Sequence, residues 1–216
     1  MGFAIRYPLY HAGIAYFDNK PVLNKVPTDN LLANYVLPSV KNLNELNQYS
    51  RIENLNGIQY RVPKDALFEG ESKEDYQDIR YYKKGAITFF VSTINLAKNP
   101  YARNFMIDGH YNFNKELHTF WNIYRYHPTP DYINYSVVWN NNIPGLSIHS
   151  YEPYSDIQIL NFESYDGTYH FIYTIFYPNF LNADEVQKLR NMIEFFDSTN
   201  NPEFKLQEHV VFPENR

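Results

Sequence analysis

Aromatic side chains constrain this chain more than any other feature: it carries 21 tyrosines, 16 phenylalanines and two tryptophans in 216 residues. Charged residues make up an ordinary 20%, and no apolar run is long enough to cross a membrane. Rings of this size need apolar surface to pack against, so most must lie in a protein core or at a protein interface. The sequence leaves these two alternatives open.

The chain contains no cysteine, which excludes disulfides, thiolate nucleophiles, iron–sulfur clusters and cysteine zinc sites. Its eight glycines form neither a dinucleotide-binding pattern nor a P-loop, so we expect no cofactor. A net charge of −5 makes nucleic acid an unfavourable partner, because phosphate binding needs clustered lysine and arginine. Residues Met1 to Pro8 lack the basic and apolar regions of a secretory signal. We therefore expect a protein that is cytoplasmic at synthesis and has no membrane partner.

Strand-type segments dominate from Ala86 onward, where β-branched and aromatic residues occur in short runs between turns. The predicted fold class is α+β: a β-rich antiparallel core, either sandwich-like or a sheet with helices on one side. A helical segment over 28–47 precedes this core and one C-terminal helix follows it. In the segment 168–177 both faces carry apolar side chains, so we expect this strand to lie between two layers.

Local turn and cap signals fix several elements. Asn56-Gly57 predicts a type I′ hairpin between 51–54 and 58–62, and Tyr165-Asp166-Gly167 predicts a second hairpin. Asn182 and Glu185 have capping-box spacing at the start of the C-terminal helix. The apolar stripe of that helix consists of Val186, Leu189, Ile193 and Phe196.

We interpret residues 1–216 as a single domain, because no linker of domain-separating length is present. The segment 64–80 is rich in carboxylates and has no clear apolar period, which predicts a flexible, solvated acidic loop. The ends of the chain are expected to form extended N- and C-terminal arms. After Ser198 the sequence is compatible with either a free arm or an edge strand.

The histidines and carboxylates fit no compact catalytic or metal motif. His110, His118 and His127 lie in one stretch, but their spacing differs from known metal motifs. Ser147 and His149 share a face of a predicted strand without a nucleophile elbow around the serine.

Carboxylate pairs could perform glycosidic acid–base chemistry if the fold set their separation correctly. The candidate pairs are Asp156 with Glu163 and Glu152 with Asp156. We expect these carboxylates to be solvated, since that is their usual state.

The candidate binding or interface residues are aromatic. One group is interleaved with asparagines, a pattern that suits a sugar platform as well as a hydrated protein interface. A second group lies in the basic and aromatic cluster at 80–84. The full set is Trp121, Tyr124, Tyr126, Tyr151, Tyr154, Tyr81 and Tyr82.

The leading hypothesis is a non-enzymatic structural or adaptor subunit of a larger assembly, such as a virion or a phage head–tail component. It would bind identical or different proteins through aromatic anchors and arms that become ordered on assembly. One alternative is a carbohydrate- or small-ligand-binding module. A further alternative is a hydrolase without a short motif that uses histidine and carboxylates.

Overall fold

Antiparallel strands make up most of the described chain. The computed structural model describes residues 43–100, 106–107, 110–111, 133–140, 143–150 and 156–201. The elements are α1 (Leu43–Tyr49), β1 (Ser50–Leu55), β2 (Ile58–Pro63), β3 (Leu67–Lys73), β4 (Gln77–Lys84), β5 (Ile87–Asn95), β6 (Met106–Ile107), β7 (His110–Tyr111), β8 (Ile133–Asn140), β9 (Ile143–Ser150), β10 (Ile157–Tyr165), β11 (Tyr169–Pro178), α2 (Ala183–Ile193) and β12 (Asp197–Ser198).

The strands form a large sheet and two smaller ones. The large sheet has seven strands in the order β3-β4-β5-β11-β10-β9-β8, and every pairing in it is antiparallel. The second sheet has the order β1-β2-β12, and β6 pairs with β7. With α1 before the strands and α2 near the end, the fold is α+β and sandwich-like, as predicted. Neither described helix is long and apolar enough to span a membrane.

The two predicted hairpins are confirmed. β1 and β2 join through Asn56 and Gly57, whose φ angles of 52° and 79° fit the type I′ turn. A Cβ at Gly57 would also collide with the side chain of Asn200, so both the positive φ angle and the limited space favour glycine there. β10 and β11 pair from Tyr165 opposite His170, with Asp166 and Gly167 in the turn.

Many aromatic side chains of the described residues lie in the core. The small sheet packs on the large one through Tyr60, whose ring centroid lies 6.1 Å from that of Phe171 and 6.0 Å from that of Tyr173. Tyr173 is fully buried, and its hydroxyl donates to the carbonyl of Arg61 across the layers at 2.7 Å. Burying one such ring contributes about 2–3 kcal/mol, so this cluster stabilises the sandwich.

The strand β11 lies between two layers, as its sequence predicts. Its odd-numbered face is buried from Phe171 to Tyr177. On the other face His170 and Thr174 are buried, while Ile172 and Phe176 are partly buried.

The helix α2 begins with the predicted capping box. Asn182 Oδ1 accepts from the backbone of Glu185, whose side chain in turn accepts from the backbone of Asn182. Leu189 and Ile193 are buried against the sandwich. Phe196, also assigned to this stripe, lies beyond the end of the helix but is buried as well.

The predicted acidic loop over 64–80 is wrong in its secondary structure, because β3 and most of β4 lie there. The β4 residues Gln77 and Ile79 are buried on a strand that pairs with β5, while among the described strands β3 pairs only with β4. Paired strand backbone at an edge tolerates charged side chains, which is why composition misled the prediction.

The N-terminal helical prediction covered 28–47, and the described part of the helix runs from Leu43 to Tyr49. Leu46 is buried, whereas Leu43 is exposed. Residues 1–42 and 202–216 lie outside the described residues, so the predicted arms and the single-domain interpretation stay predictions.

The segment after α2 begins as an edge strand and is locked by Asp166. β12 pairs with β2, and Ser198 Oγ donates to Asp166 Oδ2 at 2.6 Å. Asn200 Nδ2 donates to the same oxygen at 2.8 Å, while Asp166 Oδ1 accepts from the backbone N–H groups of Thr168 at 2.9 Å and Tyr169 at 2.7 Å. One buried carboxylate therefore joins the β10–β11 turn to the segment that follows α2.

Candidate functional site

The strand β3 is one end of the large sheet and has no neighbour on its outer side within the described residues. We call residues Leu67–Lys73 the β3 edge. It exposes two adjacent apolar side chains, Leu67 at 68% and Phe68 at 54%. The ring of Phe68 packs edge-on against the ring of Tyr82, with the two centroids 5.6 Å apart.

The β3 edge contains a bulge. Its register with β4 shifts between Phe68 and Gly70, which leaves Glu69 without an opposite residue. Gly70 has a φ of 147°, which side chains other than glycine's rarely adopt. Nothing lies within 4 Å of a Cβ placed there, so the face of the strand is uncrowded at Gly70.

The charge of this edge is mainly negative. Residues 67–78 contain five carboxylates and one lysine. Glu71 lies 3.1 Å from Lys73 and 3.5 Å from Arg80, and the hydrogen bond from Lys73 lowers the pKa of Glu71. Glu69, Glu74 and Asp75 form no ion pair with a described residue and are exposed.

Arg80 connects β4 to the small sheet behind this edge. Its guanidinium donates to the carbonyl of Asn54 at 2.7 Å. The nearby hydroxyls of Tyr60 and Tyr82 share a buried hydrogen bond of 2.7 Å. Burial raises the pKa of Tyr60 far above its usual range, so the Tyr60 hydroxyl keeps its proton at physiological pH.

Two of the predicted interface residues lie on β4, on opposite faces. Tyr82 is only 2% exposed and is a core residue, so its assignment to an interface is wrong. It shares a face with Phe89, its opposite residue on β5. Tyr81 is partly buried on the other face, with its ring 5.5 Å from that of Phe90. Burial and then the charge of Glu74 raise the pKa of Tyr81.

The remaining candidate aromatic residues lie outside the described residues, so their assignment stays a prediction. They are Trp121, Tyr124, Tyr126, Tyr151 and Tyr154. The same holds for His118, His127 and Glu152, whereas His110 is placed only as a residue of β7.

Ser147 and His149 share a face, as predicted, but do not form a nucleophile–base pair. Ser147 is buried, and its hydroxyl donates to Glu194 Oε1 at 2.8 Å, which also accepts from Arg190 Nε at 2.9 Å. His149 Nε2 is instead hydrogen-bonded to the hydroxyl of Tyr177 at 2.6 Å. Burial, and then the positive charge of Arg190, lower the pKa of His149 to about 4. The imidazole is therefore neutral at physiological pH but directed away from the serine.

The carboxylates Asp156 and Glu163 cannot act as a glycosidase pair. Asp156 is exposed just before β10, whereas Glu163 is buried seven residues further along the extended chain. At the usual rise per residue they are about 23 Å apart, far more than the roughly 5–10 Å that glycosidic acid–base chemistry needs.

A buried network around Glu163 is not predicted by any sequence motif. Glu163 Oε2 lies 2.9 Å from His170 Nε2, and Glu163 Oε1 accepts from Asn161 Nδ2 at 2.8 Å. Thr174 Oγ1 donates to Asn161 Oδ1 at 2.6 Å. All four residues are buried, so they connect β10 to β11 rather than face a substrate. The hairpin register, which places Tyr165 opposite His170, was the signal that could have revealed the pair.

Within the described parts of the chain, no group of three or more histidine, aspartate or glutamate residues could hold a metal ion. No family model matches the chain, and no curated protein matches it. The chain is similar to a crystal structure from Bacteroides thetaiotaomicron determined at 1.50 Å, with 12% identity and a TM-score of 0.40. The match covers 72% of this chain and 50% of that one, so this chain spans about half the length of its structural neighbour.

Proposed function

We propose that this chain is a structural or adaptor subunit that binds a different protein through the β3 edge. The observation that carries the proposal is the exposed pair Leu67 and Phe68 on a strand with no described outer neighbour. Fully burying side chains of this kind yields about 2–3 kcal/mol each, and an open edge offers backbone groups for pairing.

The candidate catalytic residues make hydrogen bonds inside the fold, which favours a binding function over a catalytic one. Ser147 donates to Glu194, and Glu163 pairs with His170 inside the sheet region. These groups stabilise the fold where they lie, whereas the apolar pair on β3 leaves more than half of each side chain exposed to solvent.

A different protein is favoured over a second copy because of charge. The whole chain carries −5, Glu69 adds exposed negative charge beside the apolar pair, and Glu74 and Asp75 add it in the turn at the other end of β3. Two identical acidic surfaces repel one another. A virion or a phage head–tail assembly is one setting for such a subunit; this finer proposal rests on the composition and the predicted arms of the chain.

The test is affinity capture with the tagged full chain in an extract of its source cells, quantified by mass spectrometry. The edge variant is Leu67→Ser with Phe68→Ser. The control variant is Leu43→Ser with Phe180→Ser, which also removes one exposed leucine and one exposed phenylalanine.

We expect one protein to be retained in stoichiometric amount by the wild type and the control variant and to be lost from the edge variant. Circular dichroism should show that all three proteins are folded, because all four side chains are exposed. Equal retention by the edge variant and the wild type would refute the proposal, as would the absence of any stoichiometric partner.

A further inference from the structure

We infer that the partner contributes an extended segment, in which lysine or arginine alternates with apolar residues around a central pair of neighbouring apolar residues, and that this segment pairs with β3 as an additional strand. The inference rests on the proposed function and specifies its partner. It follows from the backbone, the apolar side chains and the charges of the β3 edge, taken in that order.

The backbone of β3 is available for strand addition. An edge strand leaves alternate N–H and C=O groups without ladder partners. At Gly70 nothing lies within 4 Å of a Cβ position, so the face of the strand is uncrowded there. The β1 edge of the small sheet is less available for strand addition, because Arg80 already donates to the carbonyl of Asn54.

The exposed apolar pair favours a partner with apolar side chains on both faces. Leu67 lies opposite Lys83, and Phe68 lies opposite Tyr82, so the two side chains point to opposite faces of the sheet. Successive residues of an added strand also alternate between faces. Two neighbouring apolar residues of the partner can therefore pack against Leu67 and Phe68 at once.

The charges select a basic segment. Glu69 lies directly after the apolar pair, and Glu74 and Asp75 follow the end of β3 in the turn to β4. None of these three has an ion pair with a described residue. Lysine or arginine on the added strand would neutralise them, while an acidic strand would be repelled.

The bulge and the carboxylates of the β3 edge disfavour pairing with a second copy of β3. Bulges and charged side chains at sheet edges commonly prevent identical strands from pairing. Here the bulge at Glu69 and the surrounding carboxylates disfavour addition of a second β3, but they favour a strand of opposite charge.

The experiment titrates the full chain into labelled synthetic peptides of about nine residues, a common strand length, and follows fluorescence anisotropy. The first peptide alternates lysine with valine except for two neighbouring valines at its centre. The second replaces lysine with glutamate, and the third is the lysine peptide N-methylated at alternate residues, which removes the N–H groups needed for pairing.

The lysine peptide should bind, and its affinity should fall in about 0.5 M salt, where the Debye length is near 4 Å. The glutamate and N-methylated peptides should bind at least about tenfold more weakly. The triple variant Glu69→Gln, Glu74→Gln, Asp75→Asn should bind the lysine peptide about fivefold more weakly than the wild type. The control variant Asp156→Asn, Asp184→Asn should bind it with the affinity of the wild type.

The inference would be overturned if the lysine and glutamate peptides bound with equal affinity, or if the N-methylated peptide bound as tightly as the unmethylated lysine peptide. Absence of any binding would also overturn it. If the edge variant still loses its captured partner in that case, the proposed function stands and only the class of partner segment is wrong. A concentration-dependent dimer in light scattering that the edge variant abolishes would assign the edge to a second copy instead.

Discussion

Replacing Asp166 should destabilise this protein more than its position in a turn suggests. Its side chain is buried and accepts hydrogen bonds from two backbone N–H groups, from Ser198 Oγ and from Asn200 Nδ2, all between 2.6 and 2.9 Å. The substitution Asp166→Ala removes all four acceptor contacts of the carboxylate. The segment after α2 then stays bonded to the β10–β11 turn through Asn201 Nδ2, which donates to the carbonyl of residue 166 at 3.0 Å and to Thr168 Oγ1 at 2.7 Å.

The magnitude follows from which donors lose their partners. A hydrogen bond to a charged group contributes about 1.5–3 kcal/mol, but water replaces part of it wherever the donor is accessible. All four hydrogen bonds are partly buried, so water replaces part of each one when the carboxylate is removed. We expect Asp166→Ala to lower the free energy of unfolding by about 3 kcal/mol.

The matched variant Asp166→Asn keeps Oδ1 as an acceptor for the backbone but turns an amide toward Asn200, which is also a donor there. Its loss should be about 1 kcal/mol. Urea unfolding followed by circular dichroism and by fluorescence measures both values. A loss below about 1 kcal/mol for Asp166→Ala, or equal losses for the two variants, would refute the reasoning.

Three further perturbations test other parts of the fold. Tyr60→Phe leaves the buried hydroxyl of Tyr82 without its 2.7 Å partner and should lower the free energy of unfolding in urea by about 1 kcal/mol; an unchanged midpoint would contradict this. Gly70→Ala must adopt a φ of 147° and should lower the stability by about 1–3 kcal/mol although no atom obstructs its Cβ, so an unchanged thermal midpoint would show that the backbone relaxes there. The pKa of His149 falls from 6.5 to about 4 through burial and the charge of Arg190, so the unfolded chain binds more protons between these pH values. Stability should therefore be complete above pH 6.5 and decline as the pH falls toward 4, and His149→Gln should flatten this dependence; superimposable pH profiles of the two proteins would contradict it.

Local signals in the sequence identified the elements that depend on local chemistry. Asn56 and Gly57 formed the predicted turn because they accept positive φ angles, and Asn182 capped α2 because its side chain reaches the backbone of Glu185. The alternation along 168–177 correctly indicated a strand covered on both faces. These predictions needed no knowledge of distant parts of the chain.

The prediction failed where pairing partners decide the outcome. β3 has an acidic composition and exposes most of its residues, yet it is a strand because β4 supplies its ladder. Tyr82 looked like Tyr81, its neighbour in a polar cluster, but the register with β5 directs it into the core beside Phe89. No periodicity within 80–84 distinguishes the two rings.

The candidate site was hidden for the same reason. Leu67 and Phe68 are an ordinary apolar pair in the sequence, and only the strand order places them at the end of a seven-stranded sheet. Glu163 and His170 are seven residues apart, and they meet only because the hairpin turn sets their register. Chemistry-bearing residue types were visible in the sequence, but their accessibility was not.

Hydrogen–deuterium exchange of the chain, free and in its purified complex with the captured partner, tests the β3 edge most directly. Amides of an edge strand gain protection when a new strand pairs with them. Binding through the β3 edge predicts slower exchange over residues 67–73, with little change over α1 at 43–49 or α2 at 183–193. Unchanged exchange over 67–73, with protection appearing elsewhere in the chain, would contradict the assignment of this edge as the binding surface.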